Sequence, residues 1–501
     1  MIAVVEGGNG DSRDCDPATG LRGGSVTTAG VFGQSLAIGP IFSAGFLSGT
    51  VATVAGFNTP LSVLLAAVGA VALAYVLTLY AGRFAGAGAV YEYLARGVHS
   101  SVGIVGAGSY VVGLMFLGAG GGFVAEGYLA NGLAVSQLHV DVGWWVWALV
   151  ALAAAVAINY RGVRVGIWAI VGAATVSLVP FLVIAIAIVA QGGTAGNSLA
   201  VFDPSQTSST AVFHGILFAI SLFIGFETVA TLGEESRRPR WSIPVVLVAS
   251  IGLCTVFYLL VTYAGAIGFS RGELARNVWF ASGNPFGVLG QRYVARPFGW
   301  IVNLTIVLDL FSVCVAFTLA ASRILMALAR DRLLPAPVAR TSTRFRTPTG
   351  GLAVIAGWSL LLIAWAGLTH YGAAAHAPDV LEAVLILSTA GTYLITAIYL
   401  ILAAGSAWLL RDEPTRRGLW WKVPLVAVAI AVPLLSFDGS LNPFPSYPGE
   451  LAVYFAAVTV AVAFAWYLAL LRWRPQRVGA AASHAERAAT VPMPTAARVE
   501  R

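Results

Sequence analysis

The chain alternates long apolar runs with short polar breaks. Runs near the ~20 residues that cross a bilayer as a helix recur at roughly 30 to 55, 60 to 82, 102 to 133, 143 to 160, 165 to 191, 211 to 233, 243 to 268, 298 to 328, 351 to 369, 380 to 409, 420 to 437 and 450 to 472. The pattern predicts an all-α polytopic membrane protein of about twelve transmembrane helices. Two runs are interrupted. The first carries Gly39-Pro40 and, further on, Gly45; proline removes a backbone donor and glycine softens the helix, so this span is expected to open. The sixth carries Gly225-Phe226-Glu227 at its middle. A carboxylate at the centre of a span costs about 2.5 to 3.5 kcal/mol on insertion scales, so it is expected to face a cavity or a partner.

Composition narrows the class. Charged residues make up 10% of the chain and hydrophobic residues 58%, against about 25% charged in soluble domains, which excludes a soluble fold. Residues 1 to 28 are polar and Gly-rich, with no basic stretch leading into an apolar one, so no cleavable leader is expected. They are predicted to form a disordered cytoplasmic tail, as is 473 to 501. Cys15, Cys254 and Cys314 make neither a disulfide framework nor a metal motif, and no metal site is expected. The phosphate-cradling Gly-Lys-Ser/Thr loop is missing, so ATP is not expected as the direct energy source.

The net charge of +7 acquires its meaning from its distribution. With the N-terminus inside, all but four of the 29 basic residues fall in inner loops or tails; the four, Arg271, Arg276, Arg292 and Arg296, share one outer loop. Basic residues are retained in short cytoplasmic loops, so both termini are predicted cytoplasmic. The charge is read as a topology signal, and no nucleic-acid partner is expected.

Four stretches, at 60 to 98, 157 to 166, 223 to 244 and 321 to 348, carry a resemblance. They include Gly-Phe-Glu at 225 to 227, Glu234-Glu235, Ile243-Pro244, Ser322-Arg323, Ala329-Arg330-Asp331 and Leu334-Pro335. In this combination the chain resembles the amino acid–polyamine–organocation superfamily of permeases. The resemblance implies a leucine-transporter-type fold: inverted repeats of five spans at about 29 to 191 and 211 to 409, then two further helices within 410 to 472. It also implies that a small solute, an amino acid or related amine, is held by opened backbone at Gly39, Ser43, Ala44 and Gly45 in span one and at Phe223, Ile224, Gly225 and Phe226 in span six. Main-chain groups would hold the carboxylate and amine that all amino acids share, with donors at half-helix N-terminal ends and carbonyls at C-terminal ends.

Other residues are candidates for coupling or gating. Glu227, Glu126 and Asp309 are intramembrane carboxylates, whose readings run from bracing to proton or substrate contact. Arg237 and Arg323 belong to cytoplasmic clusters that end spans six and eight, either as plain positive-inside anchors or as an inner gate of ion pairs with Glu234 and Glu235. Span five lacks the lysine that some proton-coupled members carry, while Ser312, Thr318 and Ser322 offer oxygens for sodium, so the coupling ion is open between proton and sodium. No cofactor is expected. The expected function is a secondary transporter of amino acids or related amines in the plasma membrane, not an enzyme. An exchanger, a polyamine or organic-cation carrier and a transport-dead sensor are the alternatives, and the oligomeric state is left open.

Overall fold

The computed structural model describes residues 23–84, 88–194, 196–281, 284–372, 378–410, 419–473 and 475–476. The tails expected at 1 to 28 and 473 to 501 therefore lie largely outside the described residues, as does most of the loop that carries Arg411, Arg416 and Arg417. Among the described residues every regular element is helical. The one pairing of extended backbone is an isolated parallel bridge between Val26 and Ser236. Lipid offers no partner to backbone N–H and C=O groups, so helices, which satisfy them internally, are the economical answer to such apolar runs.

Among the described residues eleven stretches are long and apolar enough to cross a membrane. The first, Thr28–Ala81, has 54 residues, far more than one crossing needs. A tight turn at Gly56–Asn58 divides it into a broken segment and a continuous helix, Thr59–Ala81. The expected third span is also divided: Ser100–Leu117 and Gly121–Leu138 flank a non-helical step at 118 to 120. Its glycines let neighbours approach closely, since a Cβ on Gly118 would press on the Phe317 ring, at 2.5 Å from its Cγ.

At the centre stands Phe298–Arg330, 33 residues long and buried along most of its length. At 1.5 Å per residue it spans about 50 Å, beyond the ~30 Å hydrocarbon core. It packs against Val163–Gln191, Gly121–Leu138, Trp144–Arg161 and Thr349–Leu368. The outward faces are apolar: Val68, Trp168, Val176, Val256, Leu361 and Val458 are all exposed. Water would penalise such a surface, whereas hydrocarbon does not. The last two helices, Leu419–Leu441 and Glu450–Trp473, pack on the rim against Asp379–Leu409.

Candidate functional site

The first broken segment runs as helix Thr28–Ser35, a tight turn Leu36–Ile38, the single residue Gly39, and then helix again from Pro40, with a widened turn at Ser43–Leu47. Gly39 sits at φ +62°, the left-handed region that an L side chain enters only at a cost of about 1–2 kcal/mol. Space forbids a side chain as well: a Cβ there would collide with Val313 and lie 3.4 Å from Asp309 Oδ2. Past the break, the first free backbone donors belong to Ile41 and Phe42, since Pro40 has none. Both donate to Asp309 Oδ2, at 3.0 and 2.9 Å. Asp309 is fully buried in Phe298–Arg330, so a carboxylate from a distant helix caps the restarted one.

The second broken segment, Ser209–Leu232, follows the same logic with its own residue. Helix Ser209–Ala219 tightens through Ile220–Phe223, Ile224 is extended, and Gly225 turns at φ 117° before a tight helix over Phe226–Leu232. Glu227 folds back so that Oε2 accepts the Gly225 N–H at 3.0 Å. The same oxygen accepts the Tyr399 hydroxyl at 2.6 Å, and Oε1 accepts the Tyr110 hydroxyl at 3.2 Å. Glu227 is fully buried. Three donors satisfy it, two of them from other helices, so it braces the opening against Ser100–Leu117 and Asp379–Leu409. Gln34 ties both segments to the central helix, donating to Ala316 O at 3.0 Å and to Thr228 Oγ1 at 3.5 Å.

Between the two breaks lies a cavity of about 70 Å³. Its lining includes Ser43, Phe42 and Phe46 from the first segment, Ser221 and Ile224 from the second, and Phe317, Gly121 and Ser388 from helices around them. Of the residues expected to hold solute, Ser43 and Ile224 line this cavity, and Phe42 joins them. Gly39, Ala44, Gly45, Phe223, Gly225 and Phe226 stand behind it. Gly45 admits Phe181 and Ile306, whose nearest atoms lie 2.8 and 2.9 Å from where a Cβ would be. Phe223 packs edge-on to Tyr258 at 5.1 Å between ring centroids, and Tyr258 donates to the Leu222 carbonyl at 2.8 Å. Phe226 lies beside Tyr399, with centroids 6.2 Å apart. Ser221 and Ser388 have no sequence signal of their own, because serines are common within spans and only folding brings these two to one wall.

The three intramembrane carboxylates do not share this cavity. Asp309 caps the first segment and Glu227 braces the second. Glu126, on Gly121–Leu138, lines a separate cleft of about 450 Å³ with Trp147, Trp300 and Phe311. Ser312 and Ser322 donate to the carbonyls of Asp309 and Leu319 in their own helix.

One end of the bundle is closed by ion pairs. Arg323 Nε meets Glu235 Oε2 at 2.6 Å, with both side chains almost wholly buried. Arg330 grips Glu234 through two nitrogens at 2.6 and 3.0 Å, and Tyr91 donates to Asp331 Oδ2 at 2.7 Å. Residues 24 to 26 cross this end as a strap: the Val26 N–H donates to Glu235 O at 2.9 Å and the Arg237 N–H to Val26 O at 3.1 Å. Arg237 serves the strap with its side chain too, donating to Gly24 O at 3.1 Å, whereas Arg323 belongs to a buried pair. At the opposite end, the buried Trp279 of the short helix Val278–Ala281 donates to Ser48 Oγ at 3.3 Å and covers the first segment.

The amino acid permease family model matches residues 26–471. An uncharacterized transporter of Mycobacterium tuberculosis is 28% identical over 250 residues, which is 48% of this chain and 55% of the relative; in that match the chain spans about half of the relative's length. A methylthioribose transporter of Bacillus subtilis is 24% identical over 437 residues, covering 83% of this chain and 87% of the relative. A branched-chain amino acid permease from the same organism is 23% identical over 335 residues, covering 62% and 69%. With the family model spanning nearly the whole chain and the two broken helices in place, the chain belongs to the amino acid permease family of the amino acid–polyamine–organocation superfamily.

Proposed function

We propose that the chain is a secondary transporter that carries a small solute of the amino acid or amine class across the plasma membrane by alternating access, driven by an ion gradient. The observation that supports this reading is the meeting of two interrupted helices on one cavity of about 70 Å³. Interrupted helices are tolerated at membrane depth where they line a protein-enclosed site, and half-helix ends are the usual place for solute and coupling ion. Such a volume is about half that of the ~150 Å³ cavity known to hold benzene. The solute is therefore small, or the cavity widens as it enters. In this reading residues 29 to 191 and 211 to 409 are inverted repeats, and both termini are cytoplasmic because the basic residues collect on that side.

The pairs Glu235–Arg323 and Glu234–Arg330, with the strap at 24 to 26, act as the inner gate. They break when the cavity opens inward. Glu227 moves with its tyrosines and links the gate state to the second break; the coupling ion is a proton or sodium. The separation of Asp309, Glu227 and Glu126 weighs against a polyamine carrier, which needs several carboxylates around one extended cation.

Uptake by purified protein in liposomes tests the reading, with pooled labelled amino acids and amines and with proton and sodium gradients imposed separately. Accumulation under one gradient supports it and names the ion. Uptake confined to preloaded vesicles turns it into an exchanger. Failure to accumulate or exchange any solute in the panel, with thermal-shift binding also blank, contradicts it.

A further inference from the structure

The broken segments leave the central cavity short of hydrogen-bond donors, which bears on what can sit there. A carboxylate bound at a half-helix end needs free N–H groups. In the first segment the two N–H groups after the break, Ile41 and Phe42, already donate to Asp309 at 3.0 and 2.9 Å. In the second, the Gly225 N–H already donates to Glu227 at 3.0 Å. Each anion position at a break is thus filled by a buried carboxylate of the protein itself.

The side chains repeat the pattern. Three serines line the cavity, and each directs its proton to a backbone carbonyl: Ser43 to Ile38 at 3.1 Å, Ser221 to Phe218 at 2.6 Å and Ser388 to Leu385 at 3.1 Å. A hydroxyl has one proton and two lone pairs, so each presents only acceptors to the cavity. The aromatic rings of Phe42, Phe46, Phe116 and Phe317 line it too, and ring faces attract cations; Gly121 and Gly122, at the start of Gly121–Leu138, are the part of the wall that opens a helix.

Resting on the transport reading above, we infer that the carried solute presents hydrogen-bond donors and no carboxylate: a small primary amine, its ammonium on the serine oxygens and ring faces and its apolar body along the remaining wall. An amino acid would bring a carboxylate to a site where the N–H groups of Ile41, Phe42 and Gly225 are already held by two buried carboxylates, Asp309 and Glu227. Like charges set together in such a place are strongly disfavoured.

The test compares matched pairs on the wild-type protein in liposomes: isobutylamine with valine, and isoamylamine with leucine, each labelled, with methylthioribose as an uncharged donor-rich solute. The expected result is uptake of each amine at least about tenfold above its amino acid, a difference of about 1.4 kcal/mol. Methylthioribose entering faster than both amines overturns the inference, because the carried solute then has no ammonium. Valine or leucine entering as fast as its amine overturns the inference while leaving transport intact, and directs attention to the start of Gly121–Leu138, whose first two glycines also line the cavity. If no solute of either kind enters and none shifts the thermal midpoint, the transport reading itself fails for these classes. The wild-type comparison needs no variant that must first be shown to fold.

Discussion

The Tyr399 hydroxyl lies 2.6 Å from Glu227 Oε2 and donates to it, joining the second broken segment to Asp379–Leu409 across 172 residues of sequence. The carboxylate holds the break through acceptors alone, because its three partners are all donors. Glu227→Gln replaces one acceptor oxygen by an NH₂ group that faces donors. Hydrogen bonds to charged groups contribute about 1.5–3 kcal/mol each, so a loss of about 2 kcal/mol in stability is expected with the fold retained. Uptake per folded protein should fall about tenfold or more. Circular dichroism and liposome uptake on the same preparation check this; unchanged uptake by a well-expressed variant removes Glu227 from the mechanism.

The pair Arg323–Glu235, at 2.6 Å, is almost wholly buried at its end of the bundle. Removing one member strands a buried charge, which costs about 3–5 kcal/mol, whereas replacing both by apolar residues is often close to neutral. Arg323→Met alone and Glu235→Leu alone should each lower the thermal midpoint sharply, and the double variant should recover much of it. If the pair belongs to an inner gate, the double variant should leak preloaded solute faster than wild type. Additive losses in the double-mutant cycle would show that the two side chains act independently.

Two glycines set a contrast. Gly39→Ala forces a side chain into positive φ and against Val313, for an expected loss of about 2–4 kcal/mol from strain and overpacking. Gly252, inside Pro239–Gly268, has open space around a built Cβ, so Gly252→Ala should raise stability by up to about 1 kcal/mol through helix propensity. Thermal midpoints of the two variants, read side by side, check both signs.

Outside the spans, Glu273 caps the short helix Arg271–Ala275 and meets Arg292 at 2.6 Å. Hydrogen bonding from Arg292, then from the Ser270 N–H, lowers the Glu273 pKa from 4.5 to about 2. A lowered carboxyl pKa stabilises the folded form above the unfolded value, and that contribution is lost as pH falls from about 4.5 towards 2. Arg292→Gln should therefore flatten the fall of the thermal midpoint across this window while barely changing its course above pH 5. A wild-type and variant curve of identical shape would contradict the assignment.

Much of the fold was legible because lipid makes the apolar run itself the signal. Residues 39 and 225 stood out as breaks, since a Gly-Pro pair and a Gly-Phe-Glu triplet are costly inside a span. The partners of those breaks were not legible. Asp309 lies 268 residues from Ile41, and its placement in an apolar helix announces a buried carboxylate without saying what it caps. Tyr110 and Tyr399 look like ordinary span residues until folding sets both on Glu227. The step at 118 to 120 was hidden for the opposite reason: glycines so frequent in that run read equally well as close helix packing.

If the cavity between the two breaks is the solute path, a bulky side chain placed in it from a neighbouring helix should block transport. Ser388 lines the cavity from Asp379–Leu409 and belongs to neither broken segment. Accumulation of the solute identified by the uptake panel should be measured for wild type and Ser388→Phe in matched liposomes, with the thermal midpoint as the control for folding. Uptake should fall to near background in a folded variant; wild-type uptake through the obstructed cavity would place the solute path elsewhere.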